Sequence, residues 1–230
     1  MNKQLDTIAK SYDRTIELGR KGIDLYENLP EEITNNTNYL KYKQELENSV
    51  GGSENKEIIE FLEPKSNMKF IDLGCCLNLM FKGYDKWPSK YHGIDISPKT
   101  IELLKEYVTK KGLSIGSLYC GGIHEIPFED NYFDIAACIG VLEYFEKDNV
   151  EKALIEMHRI IKPNGKLVLD IPNIESKTGK IMMKIEEYMG RPDKFNMSSR
   201  EFETVLKKYF QIERIEGVDT NSLGYLYYLR

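Results

Sequence analysis

The chain has 230 residues, 41% hydrophobic and 30% charged, with a net charge of −5. This suits one α/β domain with a small appendage and leaves enough chain for a sizeable core. The acidic balance disfavours nucleic acid or another polyanion as an electrostatic partner. The N-terminus MNKQLDTIAKSYDRT carries no apolar leader core, and the longest uncharged apolar run, IAACIGVL, is too short to span a bilayer, so the expectation is a cytoplasmic protein with no membrane partner.

In chain order, Asp6 to Leu29 has a helical pattern, Asn35 to Asn38 and Gly51-Gly52-Ser53 break it, and Asn55 to Leu62 reads as a short helix closed by Pro64. Residues 1–66 are thus expected to form an N-terminal helical cap. From Met68 onward, short apolar runs alternate with helical stretches. The strand-like runs are KFIDLG, YHGIDI, SIGSLYC, FDIAACIGV, GKLVLDIP, FQIERIEGV and GYLYYL; the helical ones are Pro98 to Lys110, Val150 to Ile161 and Ser199 to Tyr209. Such alternation predicts a doubly wound, mostly parallel sheet over residues 67–230, with helices on both faces. The short link EGVDTNSLG makes the last strand antiparallel, and residues 174–198 form a helical insertion.

Cys75, Cys76, Cys120 and Cys138 fall at or near strand ends in a chain without a secretion signal, so reduced thiols are expected. No CxxC or HxxxH spacing accompanies the vicinal Cys75-Cys76 pair. It reads as small residues filling a tight turn, and no metal site is expected.

Ligands of doubly wound sheets bind beyond the carboxyl ends of the strands, which here are Asp72 to Asn78, Asp95 to Ser97, Cys120 to Glu125, Ile139 to Phe145 and Asp170 to Asn173. Asp95 lies 23 positions after Asp72, close to the spacing at which an acid meets ribose hydroxyls in nucleotide-binding βαβ units. It is equally placed to cap the following helix beside Ser97-Pro98. Gly140 ends an interior strand, where a missing side chain permits close approach of a ligand.

IDLGC, GIDISPKTIELL, IHEIPFEDNYFDIAACIGVLEYF and RIIKPNGKLVLDIPN occur in this order. Together they resemble the class I S-adenosylmethionine-dependent methyltransferases, notably the small-molecule branch with a DLGCGxG turn and a GVLEH-type fourth strand end. The resemblance implies a seven-stranded Rossmann-like sheet, S-adenosyl-L-methionine as cofactor, and transfer of a methyl group to a small or medium-sized acceptor by a monomer or homodimer. IAKSYDRT is similar to the segment with which that branch covers its cofactor, which makes Tyr12 a lid residue. Asp72, Gly74 and Cys75 would lie at the turn beneath the methionine end, Asp95 on the ribose and Ile96 against adenine. Gly122 and Ile123 stand where the branch often has an acid facing the adenine amine, and Ile139 and Gly140 would complete the cofactor site. The turn departs from the pattern at Cys76 and Asn78, and Asn78 is the residue expected to adopt the left-handed conformation. Gly83 and Pro88 should shorten the helix that follows.

Methyl transfer from a sulfonium requires an oriented acceptor and, for oxygen or nitrogen acceptors, a proton acceptor. Tyr144, Glu143 and His124 are the candidates; each also has a structural role open to it, as pocket wall, helix cap or exposed loop respectively. Met182, Met183, Ile185, Tyr188 and Met189 recur at helical spacing in the insertion, as core or as an apolar wall over the pocket mouth. Two other functions fit the fold: a degenerate binding or scaffold protein whose pocket is filled by Phe81 or Tyr84, and an enzyme using the cofactor for other chemistry.

Overall fold

The computed structural model describes residues 3–50, 56–217 and 222–230. The expected breaker Gly51-Gly52-Ser53, the expected helix start at Asn55 and part of the final link fall outside them. Each of the seven apolar runs yields a strand: β1 (Lys69–Leu73), β2 (Lys90–Asp95), β3 (Leu118–Cys120), β4 (Phe133–Cys138), β5 (Ile161–Pro172), β6 (Ile212–Glu216) and β7 (Gly224–Leu229). They form one sheet in the order β3-β2-β1-β4-β5-β7-β6. β1 to β5 pair in parallel, and β7 runs antiparallel to both β5 and β6.

Both faces of the sheet are covered, so successive residues of one strand feed two cores. Ile71, Leu73, Ile94, Ala136 and Leu167 enter one; Phe70, Tyr91, Ile135, Ala137 and Val168 enter the other. The last strand in sequence is therefore interior, with Tyr227 and Leu229 on one side and Tyr228 on the other, while the more polar IERIE forms the edge. β5 begins earlier than the sequence suggests. Asn164, at φ +64°, absorbs a register shift opposite Phe133 and Ile135, so KPNG is a bulge within the strand.

The helices are α1 (Lys3–Arg20), α2 (Glu31–Thr34), α3 (Tyr39–Val50), α4 (Lys56–Leu62), α5 (Asn78–Phe81), α6 (Pro98–Lys111), α7 (Lys147–Ile160), α8 (Lys177–Tyr188) and α9 (Ser199–Leu206). α6 starts with Ser97 accepting the Thr100 amide and Pro98 in its first turn, and it stops at Gly112 in the left-handed region. α9 begins with a reciprocal Ser198–Glu201 capping box. α1 ends sooner than its pattern implied because Gly22 turns left-handed; Leu25–Asn28 is a separate 3-10 turn capped by Asp24. α5 has four residues and gives way to Gly83 at φ +72° and a 3-10 turn, Tyr84–Lys86.

α1 leans on α6, where Asp13 accepts from the Ser97 hydroxyl at 2.6 Å and Lys99 pairs with Glu17 at 2.6 Å. Ile33 and Tyr42, from α2 and α3, pack on Ile181, Ile185 and Met189. The N-terminal helices and the insertion thus form one roof beside the carboxyl edge of the sheet. α4 instead packs Ile58 and Leu62 under the sheet, and Lys166 reaches the Phe61 carbonyl at 2.6 Å.

Candidate functional site

Strand order reverses between β1 and β4, since β1 leads outward to β2 and β3 and β4 leads the other way. The carboxyl edge of a doubly wound sheet opens at such a point. A cavity of about 330 Å³ lies there, within the size range of small-molecule sites. Its floor comes from the ends of β1, β2 and β4, and its roof from α1 and the insertion.

Gly74 lies at φ +72° and a Cβ there would meet Val141 Cγ2 at 2.2 Å. The second left-handed residue is Cys76, at φ +38°. Asn78, expected in that role, instead begins α5, so the distortion falls two residues earlier than the sequence suggested. The vicinal thiols part company: Cys75 is buried on the β2 side, where its sulfur lies beside Gly93, and Cys76 lines the cavity. Burial pushes the Cys76 thiol up to about 11.

Asp72 does not reach the cavity. It is fully buried below the turn, where Tyr91 donates to Oδ2 at 3.0 Å and Asn78 Nδ2 lies 3.4 Å from Oδ1. Burial pushes its carboxyl up to about 8, with the two hydrogen bonds opposing. Asp72 and Cys75 therefore hold the turn from below. Asp95 lines the cavity. It also ties the first two strand ends together, its Oδ2 accepting the Cys76 amide at 2.7 Å and Oδ1 the Ser97 amide at 2.8 Å. Ile96, Gly122, Ile123, Ile139 and Gly140 line the same wall. Gly140 is at φ +72° with only Glu143 Oε1, at 3.7 Å, near a Cβ position, and its amide donates to Asp170 at 2.8 Å.

Across from this wall, Tyr12 of α1 and Tyr144 meet edge to face, ring centroids 6.3 Å apart and hydroxyls 3.0 Å apart. Tyr144 donates to Glu186 Oε2 at 3.0 Å. Arg191 donates from Nε to the same oxygen at 2.5 Å and from Nη2 to the Tyr26 hydroxyl at 2.6 Å, and its guanidinium lies 4.4 Å from the Tyr12 ring centroid. Tyr12, Tyr144, Glu143, Glu186, Arg191 and Tyr26 all line the cavity. Burial raises the Tyr12, Tyr144 and Glu143 groups well above their ordinary values, with neighbouring negative charge adding to it. Glu143 is fixed through its backbone, whose carbonyl accepts the Lys194 and Phe195 amides at 2.8 and 3.0 Å.

His124 stands apart from this group. Its ring packs edge to face on Phe145 at 6.4 Å and fills the space beside Gly122, outside the cavity lining. The methionine stripe also lies elsewhere: Ile185, Met189 and Met182 face Ile33 and Tyr42, and Tyr188 is exposed. What the insertion sends into the cavity is the polar pair Glu186 and Arg191. No periodic signal marks them, because one follows the apolar stripe by a single residue and the other lies beyond the helix. Neither Phe81, which is 73% exposed, nor Tyr84, buried in the core on the far face, fills the cavity.

Residues 71–169 match the model of a methyltransferase domain family. With its sheet order, this segment is similar to the class I S-adenosylmethionine-dependent methyltransferases. The chain is 31% identical over 139 residues to an uncharacterized protein of Methanocaldococcus jannaschii, covering 60% of this chain and 56% of that one. It is 30% identical over 113 residues to a sterol 4-C-methyltransferase of Caenorhabditis elegans, covering 49% of this chain and 33% of that one. The geranyl diphosphate C-methyltransferase of Streptomyces coelicolor, solved with geranyl diphosphate, Mg2+ and S-adenosyl-L-homocysteine, shares the fold at a TM-score of 0.63 and 12% identity over 84% of each chain. The chain spans 56% and 33% of the length of these two sequence relatives. Among the described residues no helix is long and apolar enough to cross a membrane.

Proposed function

We propose that the protein transfers a methyl group from S-adenosyl-L-methionine to a small or medium-sized acceptor with an apolar portion. The observation that carries this reading is the cavity at the strand-order reversal, where an acid, two left-handed glycines and an apolar wall converge. Asp95 retains unused lone pairs for ribose hydroxyls after accepting its two amides. Ile96 and Ile123 offer an apolar slot for a purine, and the bare backbone at Gly140 permits close approach to the amino-acid end.

When bound, the cofactor supplies a methyl group already activated by the sulfonium charge. The chain's part is to orient the acceptor, exclude water and take up a proton. Leu5 and Ile8 of α1 present apolar surface to the cavity, which suits an acceptor with a hydrophobic part. Glu143 and the Tyr12–Tyr144–Glu186 chain are the groups placed to accept a proton or to hold the acceptor oxygen or nitrogen. His124 is outside this arrangement. A net charge of −5 supports a small molecule over a nucleic acid. We assign the protein to the cytoplasm, as a monomer or homodimer.

Isothermal calorimetry with S-adenosylmethionine and S-adenosylhomocysteine tests the reading, followed by incubation with an acceptor panel and detection of released S-adenosylhomocysteine. Micromolar binding of both and turnover of apolar small acceptors are expected. No binding of either would return the chain to a scaffold role, and turnover of charged polymers alone would remove the acceptor class.

A further inference from the structure

Gly74, Cys75, Cys76 and Asn78, in the turn after β1, have committed their backbone donors. The Gly74 and Cys75 amides both bond the Ile94 carbonyl, at 2.8 and 2.9 Å, and the Cys76 amide bonds Asp95 at 2.7 Å. The Asn78 amide bonds the Cys75 carbonyl at 2.9 Å. A carboxylate entering this end of the cavity needs a counter-charge from somewhere else, because removing it from water unpaired is costly.

Two cationic side chains line the cavity, Lys82 and Arg191. Arg191 is already paired with Glu186 and bonded to Tyr26 at the roof. Lys82 makes no side-chain hydrogen bond or ion pair with the described residues. It caps the four-residue α5, its amide closing on the Asn78 carbonyl at 2.7 Å, and Gly83 turns the chain away immediately after it. Its positive charge lowers the Asp72 and Asp170 carboxyls against the larger effect of their burial. Neither acid forms an ion pair with it: Asp72 is bonded by Tyr91 and Asn78, and Asp170 accepts the Gly140 amide at 2.8 Å.

We propose that Lys82 binds the carboxylate at the amino-acid end of the cofactor, supplying positive charge beside a turn whose Gly74, Cys75 and Cys76 amides are already bonded. This rests on the cofactor reading above. Lys is suited to the task as a compact charge with three donors on a flexible stem.

Calorimetry on the full chain tests it with two ligands, S-adenosylhomocysteine and its decarboxylated analogue, which keeps the amine and the nucleoside but has no carboxylate. The wild type is expected to prefer S-adenosylhomocysteine. Lys82→Met should weaken that ligand by about tenfold or more, the usual scale of a charged hydrogen bond, and leave the analogue unchanged. Lys82→Arg should restore part of the preference. Equal weakening of both ligands, accompanied by a lower melting temperature of the ligand-free protein, would overturn the proposal and make Lys82 a balance for Asp72 and Asp170. Unchanged binding of both ligands would overturn it as well. A wild type that binds neither overturns the cofactor reading itself, which separates that failure from a failure of Lys82 alone.

Discussion

The Tyr12 and Tyr144 hydroxyls lie 3.0 Å apart inside the cavity, and this contact joins the first helix to the end of β4 across 132 positions of sequence. Tyr144 donates its hydroxyl hydrogen bond to Glu186, so Tyr12 donates to Tyr144 and the chain of bonds ends on a carboxylate held by Arg191. Tyr12→Phe and Tyr144→Phe are each expected to cost about 1 kcal/mol. The double variant should cost less than their sum, because the bond between the two hydroxyls is already lost in either single variant. Urea unfolding of the three variants measures this.

Arg191 is 2% exposed and holds Glu186, Tyr26 and the Tyr12 ring together. Arg191→Met removes one member of a buried ion pair and leaves Glu186 uncompensated, at an expected cost of about 3 kcal/mol. Because the contacts tie roof to sheet, protease cleavage within residues 3–50 should accelerate in this variant more than cleavage elsewhere, as read by mass spectrometry of timed digests.

At the turn, Gly74→Val adds a side chain where a Cβ alone would stand 2.2 Å from Val141 Cγ2, at a φ of +72°. Loss of S-adenosylhomocysteine binding and a stability cost of about 2 kcal/mol or more are expected. Cys76→Gly should keep binding and raise stability slightly, since glycine holds φ +38° without strain. Thermal unfolding with and without ligand separates the two.

Asp72 gives a pH signature. Folded Asp72 keeps its proton to about pH 8, against 3.8 for a free aspartate, so the folded state binds more protons between these values. Its contribution is fully present below pH 3.8 and is lost as pH rises through 8. Asp95 and Asp170, each raised to about 6 by burial, act in the same direction over a lower range. Asp72→Asn, which keeps the shape and can still accept from Tyr91, should flatten the decline and melt higher than wild type at pH 8.5, with the advantage gone near pH 4. Calorimetric melting at these two pH values checks it.

The interior strands were legible because a strand buried on both faces is apolar nearly throughout, and such short runs between polar breakers leave few alternatives; β3 and β6, at the two edges, carry a weaker signal. The interior position of β7 was not, since GYLYYL carries no mark of which neighbours it will find. The short α5 was legible from Gly83, whereas the early stop of α1 at Gly22 was hidden inside an unbroken helical pattern. Of the residues expected at the site, Tyr12, Gly74, Asp95, Ile96, Gly122, Ile123, Ile139, Gly140, Glu143 and Tyr144 line one cavity. Asp72, Cys75 and His124 lie beneath or behind that surface. Alternation in a strand names the face of a residue and not whether its last atoms reach a ligand or a neighbouring side chain.

By itself the sequence determined the sheet, its mostly parallel sense and the edge at which a ligand would bind, because periodicity and the glycines at strand ends are local properties. The roof was decided only in three dimensions. Glu186, Arg191 and Tyr26 have no common spacing, and they meet Tyr12 and Tyr144 because packing of Ile33 and Tyr42 on Ile181 and Ile185 brings the N-terminal helices against the insertion. The same holds for Lys82, an ordinary lysine in sequence. The Gly74, Cys75 and Cys76 amides are taken by Ile94 and Asp95 of the neighbouring strand, and Lys82 lines the cavity without an ion-pair partner among the described residues.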